Sequence, residues 1–121
     1  MSLAGPALAT KITLISPFPR EFYKQLYRWF VQMPDKMLDD TWPRDFDEVC
    51  KAIAQRSETE YTCMVAEDGT PVGYIGYQQL TPHLGSLRGV CFDQKVHGNG
   101  TALRALRQVL QRHAGLHPDL G

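Results

Sequence analysis

The chain has 121 residues, 43% of them apolar and 21% charged, with Lys plus Arg and Asp plus Glu at 13 each. That balance excludes a disordered or fibrous chain and fits one globular domain with a single core. A formal net charge of zero excludes a global field that would draw nucleic acid or an anionic membrane, so electrostatic recognition falls to local patches.

Residues 1–10 have neither a basic start nor a sustained apolar run, and read as a loose tail ahead of one domain over residues 11–121, with no signal peptide or anchor. Lys11 to Ser16 suits a short first strand, stopped by Pro17 and Pro19. From Glu21 onward Phe22, Tyr23, Leu26, Tyr27, Phe30 and Val31 fall on one helical face. Met33 to Arg44, with two prolines and Asp35, Asp39 and Asp40, breaks the period and reads as an exposed connection that could face a substrate. Trp42 in it suits either a pocket wall or a plug over the core.

Asp45-Phe46-Asp47-Glu48 has capping-box form and opens a second helix, with Phe46, Val49, Cys50, Ile53 and Ala54 inward and an end near Arg56. Tyr61 to Glu67 and Val72 to Leu80 are strands joined at Asp68-Gly69, a dipeptide that tolerates the positive φ of a tight hairpin. Gly73 and Gly76 in the return strand suggest a bulge or a close approach. Leu84 to Asp93 supplies a fourth strand, and a helix follows from about Thr101 to His113, with Ala102, Leu103, Leu106, Val109 and Leu110 inward. His113 and His117 are four apart, but Gly115 between them is a helix stop, so no metal site is expected. Cys50, Cys63 and Cys91 form no C-x-x-C pair, and reduced thiols in a cytoplasm fit them. Cys91 reads as a buried strand residue with no base or positive partner nearby in sequence.

Between the fourth strand and the last helix lies Val96-His97-Gly98-Asn99-Gly100-Thr101-Ala102. A glycine turn opening a helix gathers free backbone amides at the helix's positive end, which favours phosphate. It lacks G-x-G-x-x-G spacing and a Gly-Lys-Ser/Thr sequence, so it is neither a dinucleotide fingerprint nor a Walker loop. The order strand, helix, helix, three strands, helix contains an antiparallel meander and places the chain in the α/β class of α+β type.

Over roughly Ile12 to Leu110 the chain resembles the GNAT N-acetyltransferase family. The resemblance rests on the hairpin Val65 to Gly76 and on a turn that the family writes Gln/Arg-x-x-Gly-x-Gly/Ala and that here reads His97-Gly98-Asn99-Gly100-Thr101-Ala102. It implies a mixed, mostly antiparallel sheet flanked by helices, and transfer of an acetyl group from acetyl-CoA to an amine by direct attack. Cys91 and Phe92 would lie along the pantetheine arm, with His97, Gly98, Asn99, Gly100, Thr101 and Ala102 around the pyrophosphate and Arg104 adding charge. His97 stands where the family has glutamine or arginine; it can donate to phosphate but lacks arginine's permanent charge. The family's glutamate on the fourth strand has no counterpart in Leu84 to Phe92, Arg88 lies near its place, and His83 is a substitute base. The sequence ends where the family adds another strand, another helix and two final strands. The resemblance therefore leaves two readings open: a cytoplasmic acetyltransferase acting on a small-molecule or peptide amine, or a non-catalytic module whose open sheet edge is completed by a partner or a second copy in a homodimer.

Overall fold

In the computed structural model, residues 10–33, 45–82 and 84–113 are described. Their elements run β1 (Ile12–Ile15), α1 (Tyr23–Gln32), α2 (Phe46–Thr59), β2 (Tyr61–Glu67), β3 (Thr70–Thr81), β4 (Leu84–Phe92) and α3 (Thr101–His113), with short 3-10 turns at Arg20–Phe22 and Gln94–Val96. The four strands form one sheet in the order β1-β2-β3-β4, and each pairing is antiparallel. The β2–β3 turn carries φ of 51° at Asp68 and 84° at Gly69, the two positive values that a two-residue hairpin of matching twist requires. Asp68 also ties down the first strand: its carboxylate accepts from the Lys11 amide at 2.8 Å and its own amide donates to the Lys11 carbonyl at 2.9 Å.

Alternation along the strands gives the sheet two apolar faces. One packs Ile12, Leu14, Cys63, Val65, Ile75 and Phe92 against Ala105 and Val109 of α3. The other packs Met64, Tyr74 and Cys91 against Leu26, Trp29 and Phe30 of α1 and Val49 and Ile53 of α2. The Asp45 carboxylate caps α2, accepting from the amides of Asp47 and Glu48 at 3.1 and 3.4 Å.

Most residues expected inward on α1 and α3 do pack against the core, among them Tyr23, Leu26 and Phe30 and Ala102, Leu106, Val109 and Leu110, but Val31 and Leu103 do not. In α1 Val31 is 62% exposed while Trp29 is fully buried, because the Trp29 indole donates to the buried Asp93 carboxylate at 3.2 Å. In α3 the line against the sheet is Thr101, Ala105 and Val109, and Leu103 is 54% exposed; the small side chains let the helix lie close to the strands. α2 runs one turn past Arg56, to Thr59. No helix among the described residues is long and apolar enough to cross a membrane, and no group of three or more potential metal-ligating side chains occurs among them.

Candidate functional site

The glycine turn sits at the end of β4 and opens α3. Gly98 and Gly100 have φ of 82° and 85°, a conformation L side chains rarely adopt, and a Cβ at either would meet nothing within 4 Å. The backbone there thus borders open space. The Asn99 amide donates to the Val96 carbonyl at 3.4 Å, the Arg104 amide to the Gly100 carbonyl at 3.1 Å, and the Thr101 amide to the Asn99 side chain at 3.0 Å. Among the described residues the amides of Gly98, Gly100, Ala102 and Leu103 have no acceptor. Several unpaired donors at the positive end of a 13-residue helix favour an anion.

The charges nearby are arranged to leave that end positive. Glu67 is the close carboxylate, and it accepts from the Thr101 hydroxyl at 3.0 Å and from Thr10, with the Arg104 guanidinium 3.8 Å away. Arg104 also donates to the Thr10 hydroxyl at 3.0 Å and to the Thr10 carbonyl. Its charge therefore offsets Glu67, and Thr10, which the sequence reading assigns to the tail, is held at the sheet.

β4 is the last strand of the sheet. The Asp93 amide donates to the Val72 carbonyl at 2.8 Å, so by antiparallel alternation the peptide groups of Phe92 and Val90 turn toward the open edge. His97 Nε2 lies 3.0 Å from the outward Phe92 carbonyl; since a carbonyl only accepts, Nε2 carries the proton. Nδ1 can then donate to an anion only when the ring is charged, and the backbone amides do not depend on that charge. Phe92 is placed by Gly73, where a Cβ would stand 2.3 Å from the Phe92 ring.

A cleft of about 320 Å³ joins the strand edge to the turn, bordered by Met33, Val90, Phe92, His97, Gly100 and Leu103. Met33 and Leu103 were not legible as site residues. Met33 arrives because Gln94 is bonded to Gln32 at the end of α1, through its amide at 3.3 Å and its side chain at 3.2 Å, a contact across 62 residues of sequence. Leu103 is one step out of phase with the buried line of its helix. A free strand edge, an apolar wall and a cluster of amides suit an elongated ligand with a peptide-like arm and a phosphate end. A larger cleft of about 430 Å³ lies at the other end of β2 and α3, between Glu58, Glu60, Tyr61, Tyr77 and His113; it has no comparable helix N-terminus.

The remaining sequence candidates separate. Cys91 is 1% exposed on the α1 and α2 side, and burial pushes its thiol up to about 12, which suits packing and not nucleophilic attack. Its side chain lies away from the cleft, while the neighbouring Phe92 borders it. His83, Asp35, Asp39, Asp40, Trp42 and His117 lie outside the described residues.

The sequence model described as the acetyltransferase (GNAT) family matches residues 22–117. Among solved structures, an acetyltransferase from Thermus thermophilus superposes with a TM-score of 0.67 at 19% identity, covering 90% of this chain and 70% of that one. A spermidine N-acetyltransferase mutant from Vibrio cholerae superposes with a TM-score of 0.63 at 13% identity, covering 83% of this chain and 60% of that one. No curated protein matches the sequence.

Proposed function

The chain belongs to the acetyltransferase (GNAT) family, and from that premise we propose that it transfers an acetyl group from acetyl-CoA to the amine of a small molecule or peptide by direct attack. The observation that carries the reading is the set of unpaired amides from Gly98 to Leu103 facing open space at the end of an apolar cleft. Those amides hold the pyrophosphate, with Gly100 admitting the phosphates to the backbone. The outward peptide groups of Val90 and Phe92 pair with the pantetheine arm, and Phe92 and Leu103 wall it. Acetyl-CoA supplies the activated acetyl group; the protein's tasks are to align the two reactants and to remove a proton from the ammonium. The fold shared with a spermidine N-acetyltransferase makes spermidine one sensible acceptor to test.

Calorimetric titration with acetyl-CoA tests cofactor binding, and incubation with spermidine, a lysine peptide and a dipeptide with a free N-terminus, followed by mass spectrometry, tests transfer. Heat of binding and a mass gain on at least one amine are expected. Absence of heat and of thermal stabilisation at millimolar acetyl-CoA would overturn the cofactor reading, since ligand at 100 times Kd stabilises by about 2.7 kcal/mol.

The free edge of β4 favours a second reading. Leu84, Leu87 and Val90 on that strand are 56%, 46% and 37% exposed, and an open apolar edge invites pairing with another chain. In this reading the domain is a non-catalytic module completed by a partner or second copy. A strict monomer by sedimentation at high concentration that still turns over acetyl-CoA removes its basis.

A further inference from the structure

We infer that Glu60 is the carboxylate that receives the acceptor's ammonium and takes its proton, with the Arg88 guanidinium occupying that position until the amine arrives; this rests on the transferase reading above. The geometry begins with a slip in the β3–β4 register, where Gly76 faces Gly89 but Tyr77 faces Leu87. Arg88 is therefore an extra residue in β4, a bulge that re-aims its side chain. Its carbonyl accepts from Arg56 of α2 at 3.0 Å, and its Nε lies 3.5 Å from Glu60 Oε2. Gly76 and Gly89 leave a strip of sheet without side chains beside the bulge. Tyr74 fills part of that strip: a Cβ on Gly76 would stand 2.7 Å from the Tyr74 hydroxyl oxygen.

The charges in this cluster are not balanced atom by atom. The Glu60 side chain is only 9% exposed whereas that of Arg88 is 46% exposed, so the carboxylate is inside and its cation is the outer, replaceable member. Glu60 Oε1 and the Tyr74 hydroxyl are both buried without a hydrogen-bond partner among the described residues, and buried polar atoms of that kind call for donors or acceptors from elsewhere. An ammonium brings three donors and so can serve both carboxylate oxygens and the tyrosine oxygen. Arg88 is two residues from Val90, about 6.6 Å along the strand, so the bulge that meets Glu60 lies on the same open strand as the peptide groups assigned to the pantetheine arm.

Among the described residues, the other acids near the cleft are already committed. Asp93 accepts from Trp29 and from the Lys95 amide, and Glu67 from Thr10 and Thr101. The ionisable groups around Glu60 are Arg56 on α2, Arg88 on β4 and Tyr74 on β3, with Tyr23 of α1 beyond Tyr74, and Glu58, Tyr61 and His113 around the 430 Å³ cleft that Glu60 also lines. Burial is the main force raising the Tyr74 phenol above its ordinary range, so it stays a neutral hydroxyl able to donate or accept.

Glu60 takes one proton from the ammonium, and the neutral nitrogen attacks the thioester carbon. The C–N bond forms, the C–S bond breaks with its electron pair on sulfur, and the thiolate takes the second proton that the nitrogen sheds. Glu60 returns its proton to water.

The test compares wild type with Glu60→Gln, Glu60→Asp and Arg88→Gln across pH 6–10, using the best acceptor of the panel above, with acetyl-CoA Kd and Tm measured on each variant. With the base in place, kcat/KM for the amine holds a plateau across this range. Glu60→Gln is expected to lose about 10²–10⁴-fold at neutral pH and then to climb with unit slope as free amine accumulates, narrowing the gap, while acetyl-CoA Kd stays within about threefold. Glu60→Asp keeps a plateau at a reduced rate. Arg88→Gln keeps the plateau and lowers KM for the amine, because no resident cation has to be displaced. The inference is overturned if Glu60→Gln keeps the wild-type rate, if its deficit is independent of pH, or if Arg88→Gln and Glu60→Gln lose activity and Tm together as a purely structural pair would. Should Glu60→Gln fail to fold, loss of the plateau in Glu60→Asp decides against it. Wild type that acetylates no amine overturns the transferase reading and this inference with it, whereas active wild type with an equally active Glu60→Gln overturns this inference alone.

Discussion

Gly69 and Gly100 form a matched pair for testing the anion site. Their φ values are 84° and 85°, and a Cβ at either meets nothing within 4 Å. Alanine at each incurs the same backbone strain, about 1–2 kcal/mol for an L residue in the left-handed region, less about 0.4–1 kcal/mol from the stiffer unfolded chain. Both variants should therefore lose the same amount of Tm without ligand, at most about 10 °C given roughly 3–6 °C per kcal/mol for a domain of this size. They differ in what the new methyl faces. Beyond Gly69 is solvent at a hairpin tip; beyond Gly100 is the space in which a phosphate must approach the amides. Losing one charge-assisted hydrogen bond, about 1.5–3 kcal/mol, raises the acetyl-CoA Kd roughly 10- to 150-fold. Scanning calorimetry at 100 times the wild-type Kd should show about 2.7 kcal/mol of ligand stabilisation for wild type and Gly69→Ala, and about 0.4 kcal/mol for Gly100→Ala if its Kd rises a hundredfold. Equal ligand-induced shifts in the two variants would refute the pyrophosphate cradle while leaving the fold intact.

Gly73→Ala places a methyl 2.3 Å from the Phe92 ring and should cost about 1–3 kcal/mol by overpacking; chemical denaturation measures it, and a neutral result would mean that the ring has room to leave the cleft wall. Trp29→Phe removes the indole donor from buried Asp93 and should destabilise by about 1–3 kcal/mol, a cost absent if Asp93 merely tolerates its neighbour. Asp45→Ala removes the α2 cap and should cost about 0.5–2 kcal/mol, with acetyl-CoA binding unchanged because the cap is remote from the turn. Burial first, then the neighbouring Arg112 charge, lowers His113 below its ordinary 6.5. The unfolded chain then binds that proton more readily, so stability falls as pH drops below 6.5 and levels off once pH is under the lowered value. An unchanged stability slope between pH 7 and 5 in His113→Gln would contradict this.

Local chemistry was enough to read the hairpin, the α2 cap, the fourth strand and the glycine turn, because each depends on residues within a few positions of one another. Asp68-Gly69 accepts the two positive φ values of a tight hairpin, Asp45 meets the first amides of its own helix, and Gly98 and Gly100 supply the turn that opens α3. Helix faces were less legible. Val31 and Leu103 are apolar and read as inward, yet both are exposed, since the rotation of each helix is set by what the sheet presents to it: Asp93 for Trp29, and close approach of the strands for Thr101 and Ala105.

The sequence by itself therefore determined where strands and helices begin, where the chain reverses, and which amides a helix end would leave unpaired, for these follow from φ preferences and short-range hydrogen bonds. Only tertiary structure decided what surrounds those amides. The Gln32–Gln94 contact brings Met33 to the cleft, Glu67 takes up the charge of Arg104, and the bulge at Arg88 reaches Glu60. Each joins residues from separate parts of the chain through long-range packing and register, and neither spacing nor periodicity along the sequence carries that information.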